Sequence, residues 1–231
     1  MKAAIMQPHF LPYIGYWQLI NAVDTFVVYD NIKYTKKGWI NRNRYLQGGR
    51  DKLFSINLQK GSDFLNINER LISPAYDRGK LLDAFRNAYR KAPMFLATFP
   101  LIEAIINFGS DNLFDYIFNS IAEICRHLSI GAKIVKSSQV GIDHGLKSEE
   151  RVIAICKKLG ARAYVNPMGG AGLYSKENFA DNNIALEFLK PRKVCYKQFN
   201  NGFIESLSIL DVLMFNNREA ICQMLNEYEL L

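Results

Sequence analysis

The sequence predicts an α/β fold: a Rossmann-like, mostly parallel sheet with an antiparallel hairpin and a helical insertion. Three observations predict it. A strand–helix–strand pattern fills residues 2–30, and such a crossover lays parallel strands side by side. Strands and helices alternate again in the last third of the chain. Between the two regions lies a block of helical periodicity. The chain reads as one α/β domain over 1–231, with 77–130 as a helical insertion or lid within it.

Residues 2–6 (KAAIM) read as a short buried strand. A turn rich in proline and aromatics follows, and 14–23 then carries apolar residues at helical spacing, with Asp24 marking the end. TFVVYD (25–30) is β-branched and aromatic, the composition of a strand. KLFSINLQ (52–59) and LNINERLI (65–72) alternate apolar with polar residues, which predicts a hairpin across the GSD turn at 61–63. From Asp77 the period changes: Leu81, Leu82, Phe85, Ala88 and Tyr89 make one helical stripe that ends near Pro93. Helices at about 94–108 and 111–128 follow, the second with Asp111 as N-cap. KIVKSS (133–138) is a strand, 148–160 a helix between a capping serine and a terminal glycine, and AYVNP (163–167) a strand. A short helix starting at Ser175, a strand at 184–189 and helices at 206–215 and 217–228 complete the pattern.

With 49% hydrophobic and 13% aromatic residues among 231, the chain can bury a substantial core, which excludes an intrinsically disordered protein. No stretch reaches the roughly 18–20 apolar residues that span a bilayer. The N-terminus lacks the apolar core and cleavage pattern of a secretory signal, so a cytoplasmic protein is expected. Cys125, Cys156, Cys195 and Cys222 are widely spaced and form no CxxC pair; reduced thiols are expected, and no zinc site. The net charge of +7 is concentrated early, with eight Lys/Arg against three Asp/Glu in residues 1–52.

In an open parallel sheet, ligands sit beyond the carboxyl ends of the strands. That rule collects Gln7, Pro8 and His9 after the first strand and Asp30 and Asn31 after the second. It adds Lys136, Ser137 and Ser138 from the third strand, then Asn166 with Gly169 and Gly170 from the next. His9 is a candidate to hold a phosphate oxygen or to act as a general acid, and Asp30 is the candidate general base. The basic segment 31–52 places Arg42 and Arg44 among Asn41 and Asn43, with Lys37, Trp39 and Tyr45 nearby. Guanidinium forks beside amides and aromatic faces suit a phosphate or carboxylate carried on a ring; a solvated basic loop explains the charge equally. The Gly169–Gly172 run could present backbone N–H groups to an anion or serve as a mobile connector. The early turn, the arginine segment and the glycine run are expected to share one cavity.

Four stretches, "QPHFLPYIGYWQLINAVDTFVVYDNIKYTKKGWINRNRY", "KSS", "ERVIAICKKLGARAYVNPMGGAGLY" and "FIESLSILDVLMF", resemble the WbqC-like family over nearly the whole chain. The resemblance implies a cytosolic role in bacterial O-antigen and surface-polysaccharide biosynthesis. It also implies transfer of a small group, such as glycine, onto a sugar or nucleotide-sugar. A looser resemblance links Pro12-Tyr13-Ile14-Gly15-Tyr16 to the HIGH motif of nucleotidylyltransferases, with tyrosines at both histidine positions. It implies substrate contacts for Tyr13, Gly15 and Tyr16 and a phosphate loop at Lys136–Ser138.

Three functions are therefore open. One is a transferase acting on a small anionic substrate such as a nucleotide-sugar. The second is a nucleotidylyltransferase-like enzyme that releases pyrophosphate. The third is a non-catalytic module binding a ligand or nucleic acid, although no nucleic-acid reader motif is present and +7 is modest for that role. No carboxylate pair marks a metal site, while Mg²⁺ would suit any place where two phosphates meet. Oligomeric state is not legible.

Overall fold

A computed structural model describes residues 1–200 and 202–231. Its main sheet has six strands: β1 (Lys2–Met6), β2 (Thr25–Val28), β5 (Lys133–Lys136), β6 (Ala163–Pro167), β7 (Ala185–Pro191) and β8 (Tyr228–Leu230). Their spatial order is β5-β2-β1-β6-β7-β8, parallel except for β8, which runs antiparallel to β7. The order reverses direction between β1 and β6, where a doubly wound sheet opens its ligand crevice. His9 follows one of those two strands and Asn166 lies on the other.

Side chains alternate across this sheet as the pleat requires. Ala4, Phe26, Val28, Val165 and Leu189 face one core; Ala3, Ile5, Val27, Tyr164 and Phe188 face the other. The first core is covered by α1 (Ile14–Asn21), α7 (Ile209–Phe215) and α8 (Arg218–Met224), together with the inserted helices. The second is covered by α5 (Ser148–Leu159) and α6 (Lys176–Asp181).

Everything between β2 and β5 forms one long excursion. It contains a two-stranded antiparallel sheet of β3 (Arg42–Gln47) and β4 (Arg50–Ser55), then α2 (Arg78–Tyr89), α3 (Phe95–Ile106) and α4 (Leu113–Leu128). The hairpin thus lies earlier than the alternation at 52–59 and 65–72 predicts. Its turn is Gly48-Gly49, with φ of 60° and 76°, the positive values that a tight two-residue turn demands. Of the predicted pairing only an isolated Leu58–Ile72 bridge forms, and Ile67–Glu69 is a 3₁₀ turn. The arginines of RNRYLQ disguise a strand: Arg42 and Arg44 stay partly exposed while Asn43 and Tyr45 alternate inward.

Smaller corrections concern caps and the C-terminus. Asn112, not Asp111, caps α4 by accepting from the Asp115 N–H. Lys147 precedes α5 without a side-chain cap, so Ser148 is the first residue of the helix and not its cap; Gly160 ends it with φ of 71°, as a left-handed C-cap requires. The last predicted helix stops at Met224 because Tyr228–Leu230 pairs with β7. The remaining predicted strands and helices fall within a few residues of their expected ranges.

Candidate functional site

The turn after β1 is held from three sides. Leu11, fully buried, adopts φ of 46°, a left-handed backbone costly for a residue with a Cβ. Its carbonyl accepts from Asn43 Nδ2 at 2.8 Å and from Ser208 Oγ at 2.7 Å. The Pro12 carbonyl accepts from Trp17 Nε1 at 3.1 Å and from the Ile209 N–H at 2.8 Å, and Phe10 N–H donates to Ile40. Strand β3 and the start of α7 therefore clamp a strained loop. Gly15 has its own reason: a Cβ there would collide with the Tyr13 ring.

Between this turn and β3 opens a cavity of about 320 Å³. His9, Pro12 and Tyr13 form one side, Trp39, Asn43 and Arg44 the other, and Ser206 closes the end. Tyr13 is 40% exposed and Trp39 46% exposed, so both offer aromatic surface to a ligand. Trp39 is flanked by the Arg42 and Arg44 guanidinium carbons, each 5.8 Å from its ring centre, which orients the indole through cation–π attraction.

Burial lowers the His9 imidazole to a pKa of about 4. It is therefore neutral at pH 7 and cannot supply the positive charge expected of a phosphate-holding or proton-donating histidine; it can accept a proton or make neutral hydrogen bonds. The arginines are also occupied. Arg44 Nη1 is paired with Asp51 at 3.1 Å and Nη2 donates to the Ser206 carbonyl at 3.3 Å. Arg42 donates to the carbonyls of Gly38 and Lys37; the Lys37 side chain itself is exposed and does not line the cavity. Asn41 links Tyr34 Oη to the Ile56 carbonyl, a structural assignment.

The other predicted residues go elsewhere. Tyr16 is buried with its hydroxyl donating to the Gln7 carbonyl at 2.9 Å, so neither of those groups is offered to a ligand. Lys136 is ion-paired with Asp115 at 2.8 Å and lies over Phe114 and Phe118, so its ammonium is engaged by protein groups. Asn166 accepts from Tyr164 Oη at 3.1 Å, and its side chain fills the space where a Gly170 Cβ would sit. Neither Gly169 nor Gly170 lines the cavity, so two of the three expected segments converge and the third does not.

Asp30 is a hub between strand ends. Desolvation raises its carboxyl, but hydrogen bonds from Ser138 and Ser137 outweigh that effect and hold the pKa below the ordinary value. Oδ1 accepts from Ser137 Oγ at 2.7 Å and Ser138 N–H at 2.8 Å; Oδ2 accepts from Ser138 Oγ and from Asn68 Nδ2 at 3.4 Å. A carboxylate so occupied makes a poor general base, and its hydrogen bonds tie the end of β2 to the turn after β5. The Ser137 hydroxyl also lies 2.6 Å from Asn31 Oδ1, with one proton for two acceptors. Asn31 in turn receives both Arg151 terminal nitrogens, and its Nδ2 meets His144 Nδ1 at 3.1 Å.

Sequence reasoning missed Arg151 and Ser206. Arg151 was hidden inside an amphipathic helix, and Ser206 lies far from the strand ends that guided the search. Cys125 and Cys156 are buried with thiols pushed up to about 12 by desolvation, which makes them inert.

No solved structure matches the chain. A protein of Mycobacterium tuberculosis (strain ATCC 25618 / H37Rv), "Uncharacterized protein Rv1507c", is 29% identical over 227 residues, covering 95% of each chain. The similarity to nucleotidylyltransferases finds no support in these comparisons, and the buried Tyr16 and paired Lys136 withhold the groups it requires. The profile of the WbqC-like protein family matches residues 7–223, and the chain belongs to that family.

Proposed function

We propose that this protein is a transferase of surface-polysaccharide biosynthesis. In this reading it moves a small acyl group, such as an amino acid, onto an activated sugar. The observation that carries the reading is the aromatic-walled cavity beside His9. Its volume of about 320 Å³ is near the small end of ligand pockets, sized for one sugar ring and too small for a whole nucleotide-sugar. Exposed faces of Trp39 and Tyr13 suit the C–H surface of a pyranose, and His9 supplies a neutral ring for its polar edge.

Chemically, the amine or hydroxyl of the sugar attacks the donor's acyl carbon and loses its proton, while the donor's activating group departs. Neutral His9 takes that proton. A base with a pKa of about 4 sits well below the pH of work, so positioning in the cavity contributes more to rate than proton transfer does. Arg44, already paired with Asp51, orients Trp39 and adds one polar edge.

The test is turnover by mass spectrometry, with purified protein, a panel of nucleotide-sugars bearing free amino groups, and activated amino-acid donors. The expected product gains the mass of the acyl residue, and Trp39→Ala reduces its formation at least about tenfold. Absence of any product across the panel, with the sugars bound normally, would overturn the assignment as a transferase.

A further inference from the structure

We propose that a second cavity, built around the buried Arg151, is a binding site for a phosphorylated small molecule. The cavity measures about 610 Å³ and shares no lining residue with the one beside His9. Its walls come from the loop after β2 (Tyr29, Asn31, Lys33), from the loop before α5 (His144, Lys147) and from α5 itself (Arg151).

Arg151 is 8% exposed, and among the described residues no carboxylate lies within ion-pair distance of it. Buried charges are normally paired, because desolvating one without a partner is costly. Its terminal nitrogens donate to the Asn31 carbonyl and Asn31 Oδ1, its guanidinium lies 5.2 Å from the Tyr29 ring, and its buried Nε has no partner among the described residues. The nearby acids are committed elsewhere. Asp30 is held by Ser137 and Ser138, Glu149 accepts from the Ser175 N–H and Asn178 Nδ2, and Asp143 accepts from the Gly145 N–H. Glu150, on the exposed face of the first turn, has no such partner among the described residues.

Three further features add positive potential. Lys33 and Lys147 line the same hollow, and neither is ion-paired among the described residues. Helix α5 begins there without a side-chain cap, so its first-turn N–H groups are available. His144 is fixed by Asn31 through Nδ1, which leaves Nε2 free to donate. Three cationic side chains and open amides around one hollow match a dianionic phosphate better than a single carboxylate. The planar Tyr29 and Tyr174 rings on the wall leave room for what the phosphate is attached to.

The test is isothermal titration calorimetry of the full chain at low ionic strength with inorganic pyrophosphate, a nucleoside diphosphate and the parent nucleoside. Both phosphates are expected to bind, and the nucleoside far more weakly. Equal affinity for the two phosphates assigns the free anion as ligand, and tighter binding of the nucleoside diphosphate assigns a nucleotide; either result supports the site. Arg151→Gln should weaken binding about 10- to 100-fold. The exposed pair Lys33→Ala/Lys147→Ala should weaken it about threefold or more and flatten its salt dependence. Lys36→Ala, whose ammonium is paired with Asp63, should leave it within about twofold. If Arg151→Gln fails to fold, the lysine pair decides. No phosphate binding up to millimolar concentration, equal binding of nucleoside and nucleotide, or unchanged affinity in the variants would each overturn the proposal. The Arg151 and lysine variants localise the binding to this cavity, so a failure here leaves the sugar pocket beside His9 untouched, and the reverse also holds.

Discussion

His9 and Asn43 show how single residues divide the work beside the first cavity. The unfolded chain protonates His9 as the pH falls through about 6.5, the ordinary value, whereas the folded chain does so only near 4. The stability this residue contributes is therefore complete above pH 6.5 and is lost progressively between there and about 4. Chemical denaturation at pH 7.5 and 4.5 should find wild type losing about 1–3 kcal/mol relative to His9→Gln across that interval. A ring signal titrating near pH 6.5 by NMR would contradict the burial argument. Asn43 has a different task. It donates to the Leu11 carbonyl and caps the Arg44 N–H, so Asn43→Ala should destabilise by about 1–3 kcal/mol through groups left unpaired in the core. Denaturant midpoints, with an unchanged slope, measure that loss. The sequence marks both residues as special by position after a strand and between arginines. It does not say that Asn43 serves the turn and not the ligand, because that depends on β3 and the turn meeting across more than thirty residues of chain.

Among the elements, α7 governs the segment that closes the first cavity. Asp211, fully buried on α7, accepts from Tyr89 Oη at 2.9 Å, Tyr196 Oη at 2.8 Å and Gln198 Nε2 at 2.6 Å. Desolvation raises its pKa despite these bonds. A carboxyl with a raised folded pKa stabilises at low pH, and that contribution is lost as pH rises through the folded value. Wild type should therefore lose stability relative to Asp211→Asn as the pH is raised from 4 to 8. Asp211→Ala leaves three donors without an acceptor and should cost about 3 kcal/mol, with faster hydrogen exchange over residues 192–200 and 202–208. Equal stability of the two variants would contradict this account.

The parallel strands were legible because β-branched runs such as TFVV sit between clear turn residues, and the α2–α4 stripes because their period is unambiguous. Strand β3 was not. Its outward arginines hid an alternating pattern whose inward members include an asparagine. Strand β8 is three residues long and gains its identity from pairing with β7, which no local pattern records.

At the scale of the molecule, the order reversal between β1 and β6 gathers loops from distant stretches at one edge of the sheet. The rule that ligands bind beyond strand carboxyl ends points to His9 and Asn31, both of which border hollows. It could not separate charges that are free from charges that are spent. Arg42, Arg44 and Lys136 advertise an anion site in the sequence, yet each is engaged by protein partners, although the buried Arg44 Nε has none among the described residues. Arg151 looks like the solvated face of a helix and is instead buried, with no carboxylate at ion-pair distance among the described residues. Partnering is a property of three dimensions, and it leaves one hollow walled by Tyr13 and Trp39 and another lined by Lys33, Lys147 and Arg151.

Tryptophan fluorescence tests the central claim, that the pocket beside His9 holds a sugar, most directly. The chain has two tryptophans, Trp17 fully buried and Trp39 exposed on the cavity wall. Titration with amino-sugar nucleotides should produce a saturable blue shift of the exposed component, and Trp39→Leu should abolish it. A spectrum that does not change with ligand, or a shift that survives Trp39→Leu, would contradict the account.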